Sequence, residues 1–192
     1  MTSLAENNAR RIERLIKHVD ETLPGEKARH GDWQIFSYRW AELIALMMNA
    51  EVGLQEKYRE TLESLKHRLD TIFKDWLLKR YAGLINLPPT TPVMLHHIPR
   101  FLARKVAENR HGRIAFILVD GLALDQWIAM RNILKEQYSE LRFHEAAVFA
   151  WIPTITSISR QAAFAGKAPI YFPSSVHTTE KRETAADSIL DR

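Results

Sequence analysis

A continuous apolar run that ends in an acidic residue is the feature that most constrains the fold of this chain. The run covers residues 114–119 and is followed directly by Asp120 and Gly121. An uninterrupted apolar stretch of this kind is typical of a strand that is buried on both faces, as in a parallel sheet. Open α/β sheets bind their ligands at the carboxyl ends of such strands, which is where Asp120 lies.

The elements around this run predict an α/β fold. A strand over 113–119 is followed by helical spacing over about 124–138, a second strand over about 141–151, and a helix that begins near Thr156. This β-α-β-α order is typical of a parallel sheet with right-handed crossover connections.

The first part of the chain predicts helices instead. Apolar residues recur at steps of three and four over about 3–22, 32–50 and 54–82. Helices with such stripes bury them against one another. The aromatic stripe of the second helix is predicted to be core rather than a ligand platform, and comprises Trp33, Phe36, Trp40, Leu43, Ile44 and Met47.

A proline-rich stretch at 87–92 predicts the domain boundary, with a helical region over 1–86 and an α/β domain over 87–192. His96 and His97 follow this stretch. Adjacent residues on a strand point to opposite sides, so these histidines are predicted to pack or hydrogen-bond rather than to share a metal ion.

Composition narrows the function classes. The 192 residues include no cysteine, which excludes disulfides, thiolate metal sites and a cysteine nucleophile and agrees with a reducing cytoplasm. No secretory signal or membrane span is predicted, so we expect a cytoplasmic protein without a membrane partner. The net charge of +4 permits a nucleic-acid partner, but the basic residues are mixed with acidic ones, as on solvated helix faces.

Asp120 is the first candidate for chemistry. A carboxylate at the end of a buried strand is well placed to bind a divalent cation, and Gly121 allows close backbone approach. The alternative is that Asp120 only caps the following helix. Asp125 lies in the first turn of that helix, where a carboxylate is favoured by the helix dipole, and is predicted to be structural.

Thr156 is the second candidate. It lies where a strand end and Pro153 lead into a helix, and free backbone N–H groups at a helix start attract anions. A bound metal could activate its hydroxyl as a nucleophile toward phosphorus. The alternative is simple helix capping, and the residues alone do not choose among four hydroxyls, those of Thr154, Thr156, Ser157 and Ser159.

Three stretches together resemble the PglZ domain, a branch of the alkaline phosphatase superfamily. They are residues 92–99, 119–122 and 153–169, within a resemblance that covers about 90–175. The resemblance implies an alkaline-phosphatase-like parallel sheet, Asp120 as a metal ligand, and Thr156 as both nucleophile and metal ligand. It also implies two divalent metal ions, commonly zinc, that clamp a phosphoryl group.

The resemblance further implies a role in bacterial phage exclusion (BREX), with other phage-defence proteins as partners. DNA is a further candidate partner, which the net charge of +4 permits. In this superfamily the remaining metal ligands come from strands further along the chain. His177 is the only histidine after Thr156, and Asp187 and Asp191 are the remaining carboxylate candidates near the end. We therefore expect the N-terminal part of a longer phosphatase- or phosphodiesterase-like protein that is inactive alone.

Two other hypotheses stay open. In the first, the helical region over 1–86 docks partner proteins or DNA in a defence complex without catalysis. In the second, the chain is a non-functional fragment, and an open edge of the incomplete sheet exposes backbone hydrogen-bonding groups and favours self-association.

Overall fold

The structure is a computed structural model that describes residues 4–88, 91–108 and 113–172. Regular structure in these residues is helical, with two short 3₁₀-helices at Leu95–His97 and Pro169–Tyr171. The α-helices are α1 (Leu4–Glu21), α2 (His30–Met48), α3 (Val52–Leu84), α4 (Ile98–Glu108), α5 (Leu124–Gln137) and α6 (Thr156–Ala165).

The sequence-based helices are confirmed, and their ends differ from the prediction by small shifts. α2 begins at His30 rather than at Asp32, because the Asp32 carboxylate accepts a hydrogen bond from the Arg29 backbone N–H at 2.7 Å. The carboxylate therefore stabilises the helix start from within the first turn. Asp125 lies in the first turn of α5, as predicted.

The predicted parallel sheet is wrong for the described residues. Residues 113–119 and 141–148 form no strand, and strand-type pairing is limited there to one isolated parallel bridge between Met94 and Phe149. Ile117 and Val119 are 78% and 60% exposed, not buried. The α/β assignment, with the first β-α-β-α units of an alkaline-phosphatase-like sheet, is therefore replaced by a helical architecture.

The physical reason is that apolar composition predicts burial but does not supply a pairing partner. A strand forms only where a neighbouring strand satisfies its backbone N–H and C=O groups. In the part of the chain that the structure describes, residues 113–119 have no such neighbour. The open sheet edge predicted for self-association is absent from these residues for the same reason.

The chain divides into two compact units. Unit 1 holds the described residues of Met1–Gly83 and Val119–Ala147, and unit 2 holds those of Leu84–Leu118 and Val148–Arg192. The predicted domains over 1–86 and 87–192 stay a prediction.

Unit 1 is built around α2, which packs against both α1 and α5. Ala41 and Ala45 of α2 and Ile128 of α5 form a buried cluster, with Leu124 packed against it. The small alanine side chains leave room for Ile128 and Leu124, so the two helices can bury an apolar contact.

An aromatic cluster joins α2 to α3. The ring centroid of Trp33 lies 4.7 Å from that of Phe73 and 5.8 Å from that of Trp76. The Trp76 indole N–H donates a hydrogen bond to the Ala28 carbonyl at 2.7 Å, so the polar atom of a side chain that is only 1% exposed is satisfied. Trp33 and Phe36 are buried, which confirms the aromatic stripe of α2 as core.

Exposed polar contacts between helices surround this core. Glu13 of α1 accepts hydrogen bonds from the Tyr58 hydroxyl at 2.5 Å and from Lys57 at 3.2 Å, and both partners belong to α3. The hydrogen bond from Tyr58, followed by that from Lys57, lowers the pKa of Glu13. Because the Glu13 carboxylate and the Lys57 ammonium group are exposed, their ion pair adds little to the stability of the fold.

Unit 2 is organised by the parallel bridge. The Phe149 N–H donates to the Val93 carbonyl at 2.7 Å, and the Leu95 N–H donates to the Phe149 carbonyl at 3.0 Å. The first 3₁₀-helix and α4 follow this bridge, and α6 packs against both.

Gly166 ends α6 in the left-handed conformation, with φ of +63°. An added Cβ at this position would lie only 3.3 Å from the Cβ of Pro99. Both the backbone conformation and the close approach to α4 therefore favour glycine here.

None of the helices in the described residues combines the length and the apolar character needed to cross a membrane.

We expect Trp76→Ala to lower the free energy of unfolding by about 3–5 kcal/mol, because it removes a fully packed indole and leaves a cavity. Leu78→Ala is the matched control on the same helix. Its side chain is 77% exposed, so the change should stay within about 0.5 kcal/mol. Chemical denaturation monitored by circular dichroism measures both, and equal effects of the two substitutions would contradict the aromatic core.

Candidate functional site

Asp120 lies in an exposed turn between residues 113–119, which form no regular secondary structure, and α5. Gly121 follows it with φ of +72°, a conformation that suits glycine. The N-cap of α5 is Ala123, whose backbone N–H donates to the Gln126 side-chain oxygen at 3.0 Å. The alternative in which Asp120 serves as the N-cap of this helix is therefore wrong.

Thr156 is the first residue of α6 and is exposed. The N-cap of this helix is Ile155, which makes no side-chain capping hydrogen bond. The predicted position of a hydroxyl at a helix start is therefore confirmed. Ser157 and Ser159 lie within the same helix and are half-buried, whereas Thr154 is exposed outside it.

Asp120 belongs to unit 1 and Thr156 belongs to unit 2. Among the described residues no group of three or more histidine, aspartate or glutamate side chains could hold a metal ion. Zinc usually takes four ligands, so one carboxylate and one hydroxyl do not fit a two-metal centre. The other predicted candidates, His177, Asp187 and Asp191, lie outside the described residues.

The adjacent histidines lie on the first 3₁₀-helix rather than on a strand. His96 and His97 are 7% and 3% exposed, and their ring centroids are 4.3 Å apart. His97 Nδ1 accepts hydrogen bonds from the backbone N–H groups of Val93 at 3.3 Å and Met94 at 3.2 Å. The His96 ring packs 5.1 Å from Trp151, which confirms the predicted packing and hydrogen-bonding role.

Burial lowers the pKa of both histidines. For His96 the neighbouring His97 lowers the pKa further, whereas a hydrogen bond with the Ile85 backbone opposes the shift in both residues. Arg100 adds a smaller repulsive contribution to each imidazole. The pair is therefore neutral near neutral pH, and because His97 Nδ1 accepts, its proton resides on Nε2.

A cleft in unit 2 of about 610 Å³ lies beside these histidines. It is bounded by the residues after α3, the first 3₁₀-helix, the start of α4, Trp151 and the turn after α6. Its lining residues are Ile85, Asn86, Leu87, Pro88, His96, His97, Arg100, Trp151, Gly166, Lys167, Ala168, Pro169, Ile170 and Tyr171. No acidic residue belongs to this lining, and Arg100 and Lys167 supply its permanent charges.

The sequence analysis missed this cleft, although one signal for it is present in the chain. Residues 76–107 and 146–179 contain no aspartate or glutamate. Glu108 is consequently the only acidic residue among the described residues of unit 2. The described parts of these two acid-free stretches that belong to unit 2 predict a positive surface, which the net charge of the whole chain does not reveal.

Comparison with protein families matches residues 98–189 to the BREX system PglZ alkaline phosphatase-like domain. This match confirms the resemblance that the motifs indicated, over most of the second half of the chain. The matched segment includes Asp120, Thr156, Arg100 and Lys167, and begins directly after His97. Comparisons with curated proteins and with solved structures gave no match.

We expect the histidine pair to make the protein less stable in acid. The pKa of each imidazole is lowered in the folded state, whereas in the unfolded state it is about 6.5. The unfolded state therefore binds more protons as the pH falls. The stability that the neutral pair contributes is present above about pH 6.5 and is lost as the pH falls through the lower pKa of the folded state.

Chemical denaturation at a series of pH values from about 7 to 5 tests this expectation. His96→Phe keeps an aromatic ring against Trp151 and should reduce the slope of unfolding free energy against pH. His67→Gln removes one exposed imidazole from α3 and is the control. Identical slopes in the wild type and His96→Phe would show that His96 is not a buried neutral histidine.

Proposed function

We propose that this protein works in the cytoplasm as the PglZ-like component of a bacterial phage-exclusion system, beside other defence proteins. The observation that carries the proposal is the match of residues 98–189 to the BREX system PglZ domain. The lack of cysteine supports a reducing compartment.

Within this proposal Asp120 is a metal-binding carboxylate, and Thr156 is a metal ligand and the nucleophile of a phosphatase- or phosphodiesterase-like site. Solvent exposure of both residues supports these roles, because a substrate and an ion must reach them. The start of α6 adds free backbone N–H groups beside Thr156, and such groups favour an approaching phosphoryl group. Zinc is the divalent metal that the family resemblance favours.

The described residues supply too few ligands for two metal ions. We therefore propose that this chain alone does not catalyse phosphoester hydrolysis. The purified chain should hydrolyse generic phosphomonoesters and phosphodiesters no faster than a buffer control, with or without zinc. The direct test compares Thr156→Ala with Thr154→Ala, which removes an exposed hydroxyl just outside α6.

If zinc-dependent hydrolysis is found, Thr156→Ala should abolish it and Thr154→Ala should not. Substantial zinc-dependent hydrolysis would itself contradict the proposal that the chain is inactive alone. Hydrolysis that survives Thr156→Ala would exclude Thr156 as the nucleophile. Circular dichroism of each variant separates loss of activity from loss of folding.

A second candidate function is a helical interaction module for proteins or DNA, without catalysis. The length of α3 favours it, because only Tyr58, Leu65, Trp76 and Leu84 of this helix are buried. Most of a long, highly charged helix surface is therefore open to a partner.

In this second function, binding does not depend on the candidate catalytic residues. The full chain with Asp120→Asn and Thr156→Ala should retain any defence-protein or duplex-DNA binding seen with the wild type. Pull-down with purified defence components and a gel-shift at low salt measure it. Loss of binding in the folded double variant would exclude an interaction role that is independent of the site.

A further inference from the structure

We propose that the cleft of unit 2 binds a small phosphate monoester, with the side chains of Arg100 and Lys167 contacting the phosphate group. This site goes beyond the proposed function. It uses neither Asp120 nor Thr156, and neither of those residues lines the cleft.

Charge is the first reason. Arg100 and Lys167 line the cleft, and neither makes an ion pair with any residue that the structure describes. The single acidic residue described in unit 2, Glu108, already binds Arg104 at 3.5 Å and Lys105 at 2.8 Å. Two cations without a counter-ion among the described residues, in a concave site whose lining has no carboxylate, favour an anionic ligand.

An unsatisfied hydrogen-bond donor is the second reason. The Nε1 atom of Trp151 is buried and has no hydrogen-bond partner among the described residues. Buried polar atoms of this kind are rare in native proteins. Indole N–H only donates, so this group suits an anion and does not suit a cation.

The first turn of α4 adds to this field. Arg100 lies in that turn, and α4 spans eleven residues from Ile98 to Glu108. The amino-terminal end of a helix carries partial positive charge, which acts in the same direction as the guanidinium group. Pro99 has no backbone N–H and therefore cannot donate a hydrogen bond to a ligand at this helix start. The guanidinium group of Arg100 supplies hydrogen-bond donors there instead.

The volume of the cleft and its largely apolar lining favour an organic phosphate over inorganic phosphate. A volume of about 610 Å³ exceeds what phosphate alone needs and is within the range of small-molecule sites. The rest of the lining is largely apolar, and the exposed ring of Tyr171 stands among it. A planar base or another apolar group would bury surface there, so a nucleoside monophosphate is the ligand chemistry that fits.

The test is isothermal titration of the full chain with AMP, with inorganic phosphate and with adenosine as separate arms. AMP should bind saturably, phosphate at least about tenfold more weakly, and adenosine more weakly still, because the phosphate and the apolar part both contribute. Arg100→Gln with Lys167→Gln should weaken AMP binding by at least about tenfold.

Lys105→Gln is the matched control, because it removes a cation from α4 that does not line the cleft. It should leave AMP binding unchanged. No saturation by AMP, or equal weakening by Lys105→Gln and the cleft variants, would overturn the proposal. Binding of duplex DNA without binding of AMP would also overturn it, since the basic residues would then serve a macromolecular surface. Thermal melting confirms that each variant is folded.

Discussion

Two backbone hydrogen bonds, from Phe149 to Val93 and from Leu95 to Phe149, are the contacts on which unit 2 depends. They join the two separate stretches of chain that make up this unit. Val93 and Met94 are 5% and 0% exposed, so their backbone groups could not turn to water if the bridge were lost. By fixing the chain at Leu95, the bridge sets the 3₁₀-helix that carries both buried histidines and the start of α4.

The same requirement for a pairing partner explains where sequence reasoning failed. The aromatic stripe of α2 and the positions of the helices could be predicted, because helical hydrogen bonds are local and the apolar spacing is visible in the chain. The apolar run over 114–119 has strand composition, but a strand depends on a distant neighbour that a single sequence does not reveal. In the described residues the neighbour exists for Phe149 and not for this run.

The candidate site shows the same division. The location of Thr156 at the start of α6 followed from local signals, and the exposure of Asp120 agrees with an accessible ligand position. The cleft could not be predicted, because Arg100, Trp151 and Lys167 are brought together only by the packing of α6 on α4 and the preceding 3₁₀-helix. Gly166 permits that packing, since a side chain there would crowd Pro99. The segment that matches the PglZ domain includes Arg100, Trp151 and Lys167 of the cleft. It also includes Asp120 and Thr156.

Amide hydrogen exchange of the intact chain, followed by NMR, tests the central claim that the bridge pairs the two stretches of unit 2 while the apolar run stays unpaired. The account predicts slow exchange for the amides of Leu95 and Phe149, which donate the two bridging hydrogen bonds. It predicts fast exchange for the amides of 114–119. Protection across 114–119 equal to that of Phe149 would show that these residues pair as a strand, and would contradict the account.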